Sequence, residues 1–220
     1  MFRHMMCAAL ALFPAVASRA GAQIPRTRGS EFGTEPGYWV GLSLGYLETS
    51  QIVDGQTGNT WQFGYTSQIR ATFEKTLQRG VTVGVSAGFA TVPLTYQGFS
   101  FNSFNSCAGS CQANADISQY LAFIRFGGGT GFHWMYSLEA GVTELSNFRE
   151  QVTNETLDPT SPAYDFTFGA GAGASYGFSP TVDAYAGEQF DFILHPQGNT
   201  TTVTSAPRQF TFRAGFRVGF

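Results

Sequence analysis

Lysine is nearly absent: Lys75 is the single one in 220 residues, and charged residues together make up 12% of the chain. A soluble domain carries roughly twice that share, about 25%, so there is too little charge here to cover a water-facing exterior. With 12 basic against 15 acidic residues the formal net charge is −3, which excludes the basic footprint that nucleic-acid binding demands. Beyond Ala22 no apolar run reaches the ~18–20 residues of a helical membrane span, so apolar surface must be presented by strands. Histidine is scarce as well. Past His4 there are His133 and His195, little material for nucleophilic chemistry, which needs a base within hydrogen-bond reach of the hydroxyl.

Glycine and aromatic residues take the place of charge, with 27 glycines and 22 phenylalanines. They are arranged with a period of two. In the closing stretch from Arg208, residues Phe210, Phe212, Ala214, Phe216, Val218 and Phe220 fall on one face. Gln209, Thr211, Arg213, Gly215, Arg217 and Gly219 fall on the other, and an extended strand is the regular structure that separates such sets. Seven earlier stretches follow the same rule: about Tyr38 to Glu48, Trp61 to Leu77, Val81 to Tyr96, Asp116 to Phe126, the segment after the Gly127–Gly131 turn, Tyr164 to Phe178, and Val182 to Leu194. In the second, Trp61, Phe63, Tyr65, Ile69, Ala71 and Phe73 read as one outward set. In the seventh, Glu188 interrupts an apolar face, which predicts either a bulge that flips the register there or a misassigned strand. Three short turns, at Gln78–Gly80, Gly127–Gly131 and Ser179–Thr181, alternate with four long polar loops.

The start of the chain reads as a cleavable signal peptide over residues 1–22. A basic opening, Met1 to His4, precedes a mostly apolar run, and Ala20-Gly21-Ala22 supplies the small residues of a cleavage site. Residues 23–37 then form a periplasmic lead, and 38–220 the folded domain. Export removes Cys7 and leaves Cys107 and Cys111 in Cys-Ala-Gly-Ser-Cys, where an oxidising compartment favours a disulfide that stiffens a loop tip. No metal site is expected, because no histidine lies near the pair, and no cofactor.

A sheet with one lipid-facing side must satisfy its backbone polar groups within itself, so it closes and loses its edges. The expected fold is all-β, an eight-stranded antiparallel up-and-down transmembrane β-barrel. The rival is a soluble lipocalin-like barrel with the apolar face inward. That arrangement would pack the eight apolar residues of the Tyr164–Phe178 face into a lumen only wide enough for side chains, and leave glycine and threonine to solubilise the outside. With the polar face inward, Glu74, Arg125, Asp183 and Arg217 lie in a layer near the short turns, and Arg70, Glu139 and Arg213 lie higher. Buried charges persist when paired, so these seven predict inter-strand ion pairs that plug the lumen.

A closing strand with an aromatic last residue resembles the C-terminal signature of bacterial outer-membrane β-barrel proteins. The whole span from Tyr38 to Phe220 resembles the small OmpA/OmpX-like eight-stranded group. The resemblance implies that Phe216, Val218 and Phe220 form the signal read by the barrel-assembly machinery, after handling by periplasmic chaperones. It also implies residence among outer-membrane lipid and lipopolysaccharide, with short turns periplasmic and long loops extracellular. Phe99, Phe101 and Phe104 beside the cysteines then either suit an extracellular ligand or continue the third and fourth strands above the membrane. Relatives of this architecture include lipid A deacylases and proteases, but His133 falls beside a periplasmic turn and His195 in a loop, with no family motif around them. A non-enzymatic barrel with a structural or surface-recognition role is therefore expected, the alternatives being a lipid A-modifying enzyme or a narrow channel for small solutes.

Overall fold

The computed structural model describes residues 36–53, 60–97, 110–156, 163–194 and 208–220. The signal peptide, most of the lead, Phe99, Phe101, Phe104, Cys107 and His195 lie outside the described residues.

Ten strands follow in order: β1 (Tyr38–Thr49), β2 (Ile52–Val53), β3 (Thr60–Phe63), β4 (Tyr65–Gln78), β5 (Val81–Gln97), β6 (Ser110–Phe126), β7 (Gly131–Glu150), β8 (Ala163–Ser179), β9 (Val182–Leu194) and β10 (Arg208–Gly219). Each of β4 to β10 pairs antiparallel with the next, and β1 closes the ring between β10 and β4. β3 pairs with β5 beyond the end of β4, so the two are segments of one stave. The short β2 pairs back onto β3. The result is a closed eight-stave barrel.

Polarity divides inside from outside, and the division inverts with height. On β6, Tyr120, Ala122, Ile124 and Phe126 face out while Gln119 and Arg125 are buried together with Leu121 and Phe123. Further up the same strand the outer face becomes Gln112, Asn114, Asp116 and Ser118, and the buried face becomes Ala113, Ala115 and Ile117. β5 switches at the same place, from outward Phe89 to outward Thr91, with Val92, Leu94 and Tyr96 buried above. β7 switches between outward Val142 and Glu144. A wall wetted by hydrocarbon needs apolar side chains outside, and a wall wetted by water needs them inside. The switch therefore marks the level at which the barrel leaves the bilayer. Aromatic pairs border the apolar band: Tyr46 stacks on Tyr65 at 5.4 Å and Phe89 meets Tyr120 edge-on at 6.0 Å on the loop side. Tyr38 stacks on Phe73 at 5.8 Å and on Phe220 at 6.1 Å on the turn side.

Two expectations need correction. Trp61 and Phe63 point into the barrel and are buried, whereas Tyr65 points out. The cause is one extra residue on their stave: Phe63 faces Leu94 but Ile69 faces Phe89. Gly64 lies between them, its N–H donating to the Pro93 carbonyl at 2.7 Å. A Cβ on Gly64 would come within 3.1 Å of that oxygen, so glycine permits the close approach that turns the two aromatics inward where water is outside. Glu188 has the opposite outcome. Its pairing with β8 and β10 runs through without a shift, the irregularity between β8 and β9 falling at Gly177/Ser179 beside the turn. Glu188 is exposed on the outer face of a correctly placed strand. A third difference is one of extent: β6 begins at Ser110, so Cys111 sits in a ladder opposite Tyr96 rather than in a loop, and it is disulfide-bonded.

The turns give one test of the local geometry. Gly127 has φ 102° and its added Cβ would lie 2.0 Å from the Trp134 carbonyl oxygen, whereas Gly80, at φ 71°, has open space around it. Gly80→Ala is expected to cost only the positive-φ penalty, about 1–2 kcal/mol. Gly127→Ala adds a backbone clash and is expected to lower the urea midpoint of vesicle-reconstituted protein well beyond that. Equal losses at the two positions would contradict the turn structure.

Candidate functional site: the barrel lumen

Inward positions carry long polar side chains where a neighbouring strand supplies glycine. Arg70 faces Gly88, Glu74 faces Gly84, Glu139 faces Gly169, Asp183 faces Gly177 and Arg217 faces Gly41. In a barrel this narrow, each missing side chain is the space the facing one occupies.

The turn-side layer centres on Glu74, which is fully buried. It accepts hydrogen bonds from Arg125 Nη1, Arg217 Nη1 at 3.1 Å, Thr82 Oγ1 at 2.9 Å and Thr72 Oγ1 at 3.3 Å. Arg217 also donates from Nε and Nη2 to Asp183 Oδ2 at 2.8 and 2.6 Å. Its guanidinium lies over the Trp39 ring at 4.5 Å, and that of Arg125 lies over Phe123 and Tyr185. Two carboxylates and two guanidiniums from β4, β6, β9 and β10 thus form one cluster, with aromatic faces covering the cations.

The upper layer is built around Arg70. Its Nη1 donates to Glu139 Oε2 at 3.3 Å and to Gln189 Oε1 at 3.2 Å, and its Nη2 to Gln119 Oε1 at 2.7 Å. Gln119 also accepts from Gln68 and donates to Gln209 Oε1, both at 2.7 Å, and Gln209 donates to Thr49 Oγ1. Gln189 donates to Asp191. Arg213 faces the same layer, but its Nη2 has no hydrogen-bond partner. A cavity of about 40 Å³ separates the layers, lined by Arg70, Arg125, Ser137, Glu139, Gln189 and Arg213.

Above the polar layers the lumen turns apolar. Leu47, Trp61, Phe63, Val92, Leu94, Tyr96, Ile117, Leu145 and Phe148 pack into one buried cluster. The barrel is filled by two polar layers, with Leu121, Phe123, Met135 and Tyr185 buried among them, and by an apolar cap.

The structure therefore brings Glu74, Arg125, Asp183 and Arg217 together, joins Arg70 to Glu139, and leaves Arg213 beside them. Sequence reasoning did not single out Gln68, Gln119, Gln189, Gln209 or Asp191, which carry the upper network. A signal was available. Gln68 faces Gly45, Gln119 faces Gly88, Gln189 faces Gly171 and Asp191 faces Gly169, so an inward amide or acid opposite glycine marks the plug as well as charge does. Phe216, Val218 and Phe220 lie along the outer face of the last strand and just past its end, all exposed. His133 bonds through Nε2 to the Thr130 carbonyl oxygen at 2.8 Å in its own turn. Among the described residues no group of three or more histidine, cysteine, aspartate or glutamate side chains is placed to hold a metal.

No protein-family model matches the chain, and no curated protein matches it. Solved structures do. Neisserial surface protein A aligns over 84% of this chain and 97% of its own, with 16% identity and a TM-score of 0.51. The outer membrane protein OprG from Pseudomonas aeruginosa aligns over 86% of this chain and 98% of its own, with 11% identity and a TM-score of 0.54. Closure of eight antiparallel staves, an apolar outer band and these likenesses agree: the chain has the fold of the small eight-stranded outer-membrane β-barrels.

Proposed function

We propose that this protein is a non-enzymatic bacterial outer-membrane barrel whose lumen is a structural plug and whose work is done at the cell surface by its extracellular wall and loops. The carrying observation is the inversion of polarity on β5, β6 and β7. These strands continue past the lipid with a polar exterior and a packed interior, which makes a rigid platform for the long loops above. Phe216, Val218 and Phe220, outward on β10 and at its end, suit recognition by the assembly machinery and contact with lipid. Purified protein in planar bilayers is expected to show no steady large conductance. Deleting residues 98–109 is expected to abolish binding of the cells to their surface ligand while leaving heat-modifiable migration intact. Sustained conductance, or unchanged binding after loop deletion, would contradict this reading.

One observation favours a second reading, a narrow path for small solutes. Beside the Gly64 bulge a groove of about 490 Å³ lies along the outer wall, lined by Thr49, Gln62, Phe63, Gly64 and Pro93 among others. Liposome-swelling rates that rise with small solutes, and fall when Gly64 is replaced by a bulky residue, would support a path there.

A further inference from the structure

In one part of the lumen, hydrogen-bond donors outnumber acceptors. Arg70 from β4, Arg125 from β6 and Arg213 from β10 converge on the cavity of about 40 Å³ between the two layers. Arg70 Nε, Arg125 Nε and Arg213 Nη2 are buried without a hydrogen-bond partner, and so is the hydroxyl of Ser86, which lines the same cavity from β5. Arg70 is 2% exposed, and Arg125 and Ser86 are each 7% exposed, so bulk solvent does not satisfy them. Against these four donors the wall offers one carboxylate oxygen in the same condition, Glu139 Oε1. Charge is uneven in the same sense. The lining holds three guanidiniums and the Glu139 carboxylate, while Glu188 contributes to the wall but is exposed on the outer face. Glu74 is engaged by Arg125 and Glu139 by Arg70. Asp191 accepts from Gln189 and lies outside the lining. Buried donors left without an acceptor are costly, and each one calls for a partner.

We infer that this cavity is a binding site for a single halide ion, chloride in ordinary media, held by Arg213, Arg70, Arg125 and Ser86. Water is the competing occupant. At about 10–15 Å³ for each molecule, the cavity has room for roughly three. A water molecule accepts hydrogen bonds but also brings two hydrogens of its own, and these need acceptors. The lining supplies few, since Phe123 and Met135 make up part of the wall and the guanidiniums only donate. A monoatomic anion accepts from several donors at once and brings none. Its bonds to guanidinium N–H groups are of the charge-assisted kind, about twice as strong as neutral ones. The polar layers close the cavity above and below, so the occupant is captured as the barrel folds, which favours a compact ion over an oxyanion. Such an ion ties β4, β5, β6 and β10 together at the level where the two side-chain networks do not reach each other.

The test folds the protein from urea into detergent with sodium bromide as the only halide, and crystals of it are measured at the bromine absorption edge. An anomalous peak between Arg213 and Ser86 is expected. A second measurement needs no crystal. Urea unfolding in vesicles is compared in sodium chloride and in sodium isethionate at equal ionic strength, so that screening is constant and the bulky organic anion stays outside. At a chloride concentration ten times its dissociation constant, wild type is expected to gain about tenfold in its folding equilibrium constant, by mass action. Arg213→Met is expected to lose that gain, and Ser86→Ala to lose part of it. Heat-modifiable gel migration confirms the barrel in each sample, and Ser86→Ala carries the comparison if Arg213→Met does not fold. Well-defined density in the cavity with no bromide signal, the result if water alone occupies it, overturns the proposal. So does a chloride gain that is the same in wild type and in a folded Arg213→Met or Ser86→Ala variant, which would mark it as a general salt effect.

Discussion

Glu74→Leu is expected to destabilise the folded barrel by about 3–5 kcal/mol, the cost of breaking a buried ion pair by removing one partner. The size follows from the number of groups that share this carboxylate. Both Arg125 and Arg217 direct a guanidinium N–H at it, and two threonine hydroxyls complete its shell. Without it Asp183 is the remaining acid of the turn-side layer, bonded to Arg217 alone, and Arg125 loses its carboxylate while still buried. Urea unfolding in lipid vesicles, followed by tryptophan fluorescence, measures the loss. A second substitution tests the cause: adding Arg125→Met to Glu74→Leu removes the stranded cation and is expected to restore part of the stability, a coupling that a double-mutant cycle isolates. A loss below about 1 kcal/mol for Glu74→Leu would mean that water reaches the layer, because exposed pairs are worth that little.

The second large effect concerns the outer surface. Leu138 is 56% exposed at the middle of the apolar face of β7, and Leu138→Arg places a cation where the wall meets hydrocarbon. The expected cost is about 2–4 kcal/mol, the range for arginine near a bilayer midplane on a barrel exterior. Gln112→Arg, on the outer face of β6 above the polarity switch, is expected to change stability by less than about 0.5 kcal/mol, as for an ordinary surface substitution. Both are read by the same vesicle unfolding. The contrast matters more than either value, since a protein dissolved in water would tolerate both arginines on its surface.

Much of this architecture is written in the period-two alternation. Every stave could be located from it, because in hydrocarbon a strand must place apolar groups on one side and polar or tiny groups on the other. The same rule explains what was hidden. It assumes one solvent outside, so it read Trp61 and Phe63 as lipid-facing, and Cys111 to Ala115 as loop, where the wall stands in water and its pattern reverses. Gly64 inserts the extra residue at that point, and one glycine among 27 gives no local sign of a bulge. Glu188 shows the converse. A charge on an apolar face suggested a break in the strand, but the backbone ladder is indifferent to a side chain that points away from the sheet. In the lumen, charge drew attention to Arg70, Glu74, Arg125, Glu139, Asp183, Arg213 and Arg217. The glutamines that tie Arg70 to β1, β6, β9 and β10 are uncharged, and their role depends on which glycine lies opposite, a matter of register that becomes visible only when the strands are paired.

The three tryptophans report most directly on which solvent wets which side. Trp39 and Trp61 are buried inside the barrel, whereas Trp134 is 60% exposed on the outer face of β7. Two variants, each retaining one tryptophan with the other two replaced by phenylalanine, are reconstituted in vesicles containing phospholipid brominated along its acyl chains. Strong fluorescence quenching is expected for the variant that keeps Trp134, and little for the one that keeps Trp61. Comparable quenching of both, or protection of Trp134 with quenching of Trp61, would show that lipid does not contact the phenylalanine-bearing face, and the transmembrane assignment would fall.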